Sequence, residues 1–409
     1  MSRPNVAISF SNGNLGGVNP SRDGVAGIIV SGVAVGGQFA LGDVLKFNSI
    51  NDAIAKGITA AYDVTNTCMA YKHIADFYSQ APAGSELWVM VVAKTVTMAQ
   101  MCDKTANYAK KLLTTAAGAV RIIGITRVPD SGYTPTYTTQ LEADQWSAIT
   151  NAKALRADEL SFYRPVQFLH EGRDWQGSVS STQDLRDSST GPNANRSSIV
   201  IGQDADVIAT YTWATKYAAV GLALGKLTAI GVQRNMGRVK DGALPVMNAG
   251  FSNGAAFSTI TDTNLDLLND KGYIFMTNLP GGISGYFWND SHTATPMTDD
   301  YRYIENGRTI DKAFLITLQT YIKEILDDVE VDAATGRLQP ATAKHYQGII
   351  VAALRVMEAA GEIDAGSAKC VCDMTQNVQT AGKVALSISV GKKGVIRKFE
   401  ILLGYTAAV

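Results

Sequence analysis

The chain has 409 residues, more than one compact hydrophobic core usually serves, so we expect two or three domains. Its formal net charge is −1 and it has no long run of one charge sign, which excludes the electrostatic footprint of a nucleic-acid-binding protein. No stretch of 18 uninterrupted apolar residues is present, the first residues lack the apolar segment of a secretory signal, and we expect no membrane insertion.

The first half of the chain alternates strand-like and helix-like segments. A period of two at Val6, Ile8 and Phe10 predicts a strand, which the Gly/Asn-rich residues 11–24 separate from the rest. The predicted strands that follow cover residues 26–35, 87–93, 121–127, 166–169 and 197–201, and the predicted helices cover residues 51–58, 67–78, 98–116, 139–158 and 210–228. This order is typical of a mixed, mostly parallel sheet with helices on its faces.

The last part of the chain has a different pattern. Residues 231–296 are irregular, with short predicted strands only at 273–276 and 285–288. Apolar residues then recur every three or four positions over residues 310–329 and again over residues 346–360, which predicts two amphipathic helices. The fold class is therefore α/β followed by α+β, with two helices and a small sheet in the second part.

Strand-like segments also end the chain. Residues 384–390 alternate apolar and small side chains, and Val395, Phe399, Ile401 and Leu403 form an apolar series after a Gly-Lys-Lys-Gly turn. A strand on a flexible tether has unpaired backbone groups that can add to the sheet edge of another chain. We therefore expect extended N- and C-terminal β-arms that join copies of this protein.

No local pattern indicates catalysis, a cofactor or a metal site. The histidines at positions 73, 170, 292 and 345 lack metal-binding spacing, and Cys370 and Cys372 have the wrong spacing for a zinc site. The glycines of Gly221–Lys226 superficially resemble a phosphate loop, but Leu227 replaces the required hydroxyl and the segment lies within a predicted helix. Close helix packing by small residues is the better interpretation.

Three regions resemble the tail sheath proteins of contractile phage tails and contractile injection systems. The first runs from a strand and short helix at residues 43–57 to an aromatic-ended helix at 70–78 and an apolar strand at 86–92. The second is the Gly/Trp strand at 285–290, which leads into residues 299–308, and the third is the two-helix block with its β-tail at 307–403. The likeness is closest to a divergent branch of that family.

The resemblance implies a structural subunit and not an enzyme, without cofactors. Sheath subunits stack in rings around an inner tube, exchange strands with their neighbours, and contract to drive the tube through an envelope. The implied partners are other copies, the tube protein, and baseplate and tail terminator proteins. The location would be a virion tail, or the bacterial cytoplasm as part of an assembled injection particle.

The resemblance also implies a division of the chain. Residues 1–24 would form an N-terminal arm of the inner domain, residues 25–285 the outer α/β domain, and residues 286–409 the inner domain with the C-terminal arm. Polar positions on the last two helices are the candidates for contact with the tube: Lys312, Lys323, Lys344 and Arg355.

Two alternatives stay open at this stage. One is another self-assembling structural protein of a phage or injection system, such as a tube or shell component. The other is an α/β enzyme with a site at the carboxyl edge of its sheet, because fold alone does not determine function. That alternative requires a pocket in which His170 lies beside an acid and a nucleophile.

Overall fold

The computed structural model describes residues 22–405. These residues divide into two compact units. The first contains the described chain up to Gly231 together with Met236–Ile304, and the second contains Val232–Asn235 and the described chain from Glu305 onwards.

Strands and helices alternate along the first unit, whereas the second unit is mainly helical. Those of the first unit are β1 (Ala26–Gly32), β2 (Val44–Phe47), α1 (Ile50–Ala55), α2 (Ala60–Asn66), α3 (Ala70–Gln80), β3 (Leu87–Ala93), α4 (Met98–Cys102), α5 (Ala109–Thr115), β4 (Ile122–Ile125), β5 (Tyr137–Thr138), β6 (Leu141–Glu142), α6 (Ala143–Ser161), β7 (Gln167–Glu171), β8 (Ser197–Val200), β9 (Gly202–Asp204), α7 (Asp206–Thr210), α8 (Val220–Ala229), β10 (Ala249–Phe251), α9 (Asp262–Asp270), β11 (Met276–Thr277) and β12 (Phe287–Trp288). Those that follow are α10 (Ile304–Tyr321), α11 (Pro340–Ala359), β13 (Lys369–Cys372), α12 (Val378–Ala381) and β14 (Leu386–Ser389).

A six-stranded sheet with the order β2-β3-β1-β4-β7-β8 is the centre of the first unit. All neighbouring strands are parallel except β2, which pairs antiparallel with β3. The chain moves from β1 to one side of the sheet through β2 and β3, and then crosses to β4 on the other side. In open α/β sheets, this reversal leaves a crevice at the carboxyl ends of the central strands.

Both faces of this sheet are covered, which explains its continuous apolar strands. Successive residues of β1 enter opposite cores: Ile28 lies in the core that contains α3 and α8, and Ile29 lies in the core that contains α4 and α5. The mixed α/β class with a mostly parallel sheet is thus confirmed, and the remaining sheets described are antiparallel pairs.

Helices α3 and α8 approach each other unusually closely. A Cβ atom at Gly221 would lie 2.2 Å from the carbonyl oxygen of His73, and one at Gly225 would lie 2.4 Å from that of Phe77. The two glycines are four residues apart and therefore share one face of α8. Their role is helix packing, as the sequence analysis preferred over a phosphate loop.

A buried carboxylate links the carboxyl end of β7 to its surroundings. Glu171 accepts hydrogen bonds from the backbone N–H groups of Arg127, at 2.7 Å, and Ala218, at 3.0 Å. Burial raises the pKa of Glu171 to about 7, against the lowering effect of Arg173 and these two donors. This side chain therefore fastens the segments after β4 and before α8 to the same edge of the sheet.

The predicted elements differ from the observed ones mainly where helices are interrupted. The predicted helix 98–116 is two helices, α4 and α5, because Asp103 ends the first with a turn whose carboxylate accepts the Thr105 N–H. The predicted helix 210–228 begins with a 3₁₀ segment, Thr212–Lys216, and only its later part is α8. The apolar strand predicted at 87–93 has the same bounds in β3.

The division between the compact units falls after Ile304, whereas the sequence analysis places the outer and inner domains on either side of residues 285 and 286. Residues 286–304 belong with the first unit because β12 pairs with β11 and because Ala294 forms a β-bridge with Ala194. The terms outer and inner refer to an assembled particle, and that assignment stays a prediction.

We predict that Gly221→Ala lowers the free energy of unfolding by about 2 kcal/mol or more, because the added methyl group overlaps the α3 backbone. Alanine favours helix more than glycine does, so intrinsic propensity alone would give the opposite sign. Urea unfolding monitored by circular dichroism measures the change. The control is Gly36→Ala, whose Cβ would have no atom within 4 Å. Equal stability of the two variants would contradict the close-packing interpretation.

Candidate assembly surface

The second unit is built around the packing of its two long helices on a small sheet. Ala313 of α10 shares a core with Ile350, Leu354 and Met357 of α11. The partly buried Ile388 of β14 joins that core. Helix α11 begins at Pro340, which suits the first turn of a helix because its nitrogen has no hydrogen to donate.

The sheet of this unit has two strands in the part of the chain that the structure describes. β13 and β14 pair antiparallel, with Lys369 opposite Ser389 and Cys372 opposite Leu386. Within residues 22–405, neither strand pairs with another strand on its outer side. The sheet therefore has two free edges, each with backbone N–H and C=O groups available to a strand from elsewhere.

The segment after β14 is anchored at first and then leaves the body of the unit. Lys393 pairs with Asp364 at 3.1 Å, and the Arg397 guanidinium pairs with the buried Glu305 carboxylate at 2.9 Å. Beyond Arg397, the apolar side chains are exposed: Phe399 by 76%, Ile401 by 82% and Leu403 by 91%. The backbone from Ile396 to Tyr405 has no regular secondary structure.

The predicted residues of the C-terminal arm differ in how far they are exposed. Phe399, Ile401 and Leu403 form an alternating, exposed apolar series, while Val395 is half-buried. The alternating pattern predicts a strand here, but the described segment has no regular secondary structure and no strand partner within residues 22–405. Val6, Ile8 and Phe10 of the N-terminal arm lie outside the described residues.

A shallow groove of about 600 Å³ runs between α11 and β13. Lys344, Arg355 and Lys369 flank it, and none of the three has a carboxylate partner in the described part of the chain. Its lining also includes Val351 and the exposed Val371. The groove therefore has basic side chains at its rim and apolar side chains between them.

The four predicted tube-facing residues do not share one environment. Lys344 and Arg355 lie together along the groove, and Lys323 is exposed in the segment after α10. Lys312 instead pairs with Glu362 at 2.7 Å, an ion pair inside the second unit. Lys369 was not singled out from the sequence, because only the packing of α11 against β13 brings it beside Arg355.

The cysteines have packing roles. Cys370 and Cys372 share one face of β13, as their i, i+2 spacing predicts, and both contact apolar clusters that include residues of α11. Burial raises the pKa of both thiols, so they are poor thiolate ligands and nucleophiles. No group of three or more His, Cys, Asp or Glu side chains with metal-binding geometry occurs among residues 22–405.

His170 does not have the surroundings that a catalytic base needs. Its Nε2 atom lies 3.3 Å from Ser197 Oγ, but both side chains are buried in the sheet, and Nδ1 has no hydrogen-bond partner among the described residues. Burial lowers the pKa of His170 to about 3. An acid that would orient the imidazole is therefore lacking there, and the enzyme alternative gains no support from this residue.

Comparison with solved structures finds similar chains at low sequence identity, including the following three. The contracted helical sheath of the anti-feeding prophage (AFP) has a TM-score of 0.62 and 15% identity, with 99% of both chains covered. The contracted sheath complex of PVC, an extracellular contractile injection system, has a TM-score of 0.61 and 12% identity, covering 100% of this chain and 98% of the other. A chain of the 6-fold symmetrised AFP baseplate has a TM-score of 0.60 and 13% identity, with both chains fully covered.

The chain therefore has the fold of the sheath proteins of contractile injection systems, and the resemblance found in the sequence is confirmed at that level. By sequence it matches the DUF2586 N-terminal domain over residues 3–292 and the DUF2586 C-terminal domain over residues 300–409, so it belongs to the DUF2586 family. A comparison with curated protein sequences finds no match. None of the helices in residues 22–405 combines the length and hydrophobicity that a bilayer-spanning helix needs.

We predict that, in the free protomer, the backbone amides of residues 399–405 exchange with solvent as fast as those of an unfolded peptide, since none donates to another backbone group within residues 22–405. Hydrogen–deuterium exchange with mass spectrometry measures this. The internal control is the segment 349–357 of α11, whose helical amides should be protected. Strong protection of residues 399–405 at monomeric concentration would show that this segment folds onto its own protomer.

Proposed function

We propose that this chain is the subunit of a contractile tail sheath. It polymerises into stacked rings around an inner tube by strand exchange, and it contracts to drive the tube through an envelope. Two features of the second unit carry the proposal. Among the residues that the structure describes, its two-stranded sheet has no strand partner at either edge, and the apolar segment 399–403 joins no sheet. The similarity of the whole chain to AFP and PVC sheath chains supports this proposal.

The energetics of the arms suit a permanent joint. Each backbone hydrogen bond contributes roughly 0.5–1.5 kcal/mol net, and each buried Phe, Ile or Leu side chain contributes roughly 1.5–3 kcal/mol. A strand that buries Phe399, Ile401 and Leu403 in a neighbouring subunit would therefore contribute several kcal/mol. The tether 11–24 on the N-terminal side is rich in glycine, which allows a subunit to rotate while its arm stays attached.

The proposed division of labour follows the predicted domains. Residues 25–285 form the outer domain, and residues 1–24 with 286–409 form the inner domain that faces the tube. Within the inner domain, the basic groove with Lys344 and Arg355 is the strongest candidate for contact with an acidic tube surface, because its cations are exposed and lack carboxylate partners in the described structure. Lys323 is a further candidate, whereas the ion pair of Lys312 makes it a weaker one.

Other copies of the chain, the tube protein, and baseplate and tail terminator proteins are the proposed partners. Neither nucleic acid nor a membrane is among them. The proposed location is the tail of a virion, or an assembled injection particle in the bacterial cytoplasm. Because an AFP baseplate chain is as similar as the sheath chains, a subunit at the baseplate end of the same sheath is the second candidate.

We predict that the triple change Phe399→Ser, Ile401→Ser and Leu403→Ser abolishes long tubes and leaves a folded protomer, because these side chains are exposed before assembly. Deletion of residues 1–12 should have the same effect. Negative-stain electron microscopy scores tube length, and circular dichroism checks the fold.

The matched control changes two exposed residues in the same segment, Lys398→Ser and Glu400→Ser. These lie on the opposite side of a strand from the apolar series, so tubes should persist. If the triple variant assembles into tubes of normal length, strand exchange through the C-terminal arm is wrong.

We predict that the double change Lys344→Glu and Arg355→Glu weakens attachment to the tube by about tenfold or more, because it reverses two charges at the rim of the groove. Co-sedimentation of sheath with purified tube at increasing salt measures the attachment. Lys104→Glu, an exposed lysine in the first unit, is the charge-matched control for one substitution. Unchanged co-sedimentation of the double variant would exclude the groove from the tube contact.

A further inference from the structure

A second cavity, of about 500 Å³, lies wholly within the first unit. Residues that directly follow the parallel strands line it: Lys94 comes after β3, Val128–Pro129 after β4, and Arg173 after β7. This is the carboxyl edge of the sheet, where open α/β proteins bind their ligands. The volume is in the range of small-molecule sites. The assembly surface of the second unit does not use it.

Arg173 is the most informative side chain in this cavity. It is 8% exposed, and its Nε atom lies 3.3 Å from Oε1 of the buried Glu142. Its Nη1 atom has no hydrogen-bond partner among the described residues. A guanidinium has five donors, and a buried donor without a partner costs free energy comparable to a lost hydrogen bond. The side chain is therefore set to donate to a group that enters the cavity.

Lys94 adds a second cation to the lining, and this one has no carboxylate partner among the described residues. Its ammonium group donates to the backbone carbonyl of Asn66 at 2.8 Å, and no carboxylate of the described chain lies within ion-pairing distance. The other cations and acids of the lining are mostly engaged: Lys216 pairs with Asp174 at 2.6 Å, and Glu142 accepts a hydrogen bond from Tyr133 at 3.0 Å.

The rest of the lining is mixed. Val128, Pro129, Pro135 and Trp213 form an apolar wall, and polar side chains complete the lining: Thr67, Asp130, Ser131, Tyr133 and Thr215. Two cations with spare donors beside an apolar wall match a ligand that has an anionic group on a small hydrophobic body. We propose that the carboxyl-edge cavity binds a small organic anion, whose carboxylate or phosphate group is held by Lys94 and Arg173 and whose apolar body lies against Val128, Pro129 and Trp213.

The test is isothermal titration calorimetry of the full-length protein with three probes: inorganic phosphate, phenyl phosphate and benzoate. Phenyl phosphate or benzoate should bind with 1:1 stoichiometry and at least about tenfold tighter than inorganic phosphate, because only they contact the apolar wall. The ratio of the affinities for phenyl phosphate and benzoate shows whether the site prefers a phosphate or a carboxylate group. Equal affinity for phenyl phosphate and inorganic phosphate would overturn the role of the apolar wall.

Three variants connect binding to the named residues. Lys94→Ala should lower the affinity for the tighter-binding organic probe by about tenfold. Glu142→Gln should raise that affinity, because the substitution removes the negative charge that competes for Arg173. Lys111→Ala is the matched control: Lys111 also donates only to a backbone carbonyl, that of Gly42, and does not line the cavity. Its affinity should equal that of the wild type.

The proposal does not depend on a folding-sensitive substitution, since Lys94 is half-buried and its loss removes a single hydrogen bond. No binding of either organic probe at about 10 mM would overturn the proposal. So would equal affinity of the Lys94→Ala and Lys111→Ala variants. Neither result bears on tube formation, which the arm variants test separately.

Discussion

A two-stranded sheet with both edges open in the described residues is the constraint on which the character of the second unit depends. β13 and β14 pair with each other, and both outer edges are left with unpaired backbone groups in the described structure. Two-stranded sheets are marginal alone, and here α11 stabilises the pair by burying its inner side. The same chain carries an exposed apolar segment after Arg397 that no strand of the described protomer receives. The open sheet edges could pair with this segment through backbone hydrogen bonds, but the two are not paired within the described protomer.

The first unit has the opposite character, because its sheet is covered on both faces and its helices pack at backbone distance. The approach of α8 to α3 through Gly221 and Gly225 has no room for a side chain. Buried ion pairs and the Glu171 hydrogen bonds then hold the loops at the carboxyl edge of the sheet. Such a unit is suited to move as a rigid body.

Residue pattern alone predicted the class of fold but not the way its helices are divided. The apolar run at 87–93 and the helical stripe through Tyr346, Ile350 and Met357 are local signals, and both correspond to observed elements. The interruption of the predicted helix 98–116 depends on a turn at Asp103, a competing local hydrogen bond that hydrophobic periodicity does not register. The alternation of apolar residues indicates the C-terminal arm in the sequence. Only the structure shows that these side chains are exposed and that β13 and β14 have no further strand partner in the described residues.

The sequence by itself determined the α/β and α+β character of the two parts, the presence of strand-like ends, and the lack of a local catalytic motif, because each of these is written in short-range periodicity or spacing. Tertiary structure decided which groups meet: Lys369 with Arg355 beside one groove, and Lys94 with Arg173 around one cavity. Lys94 and Arg173 are 79 residues apart in the chain, and Arg355 and Lys369 lie in different elements, 14 residues apart. Strand order and helix packing bring these residues together. Both depend on the burial of many side chains, so the residue type at a single position does not predict them.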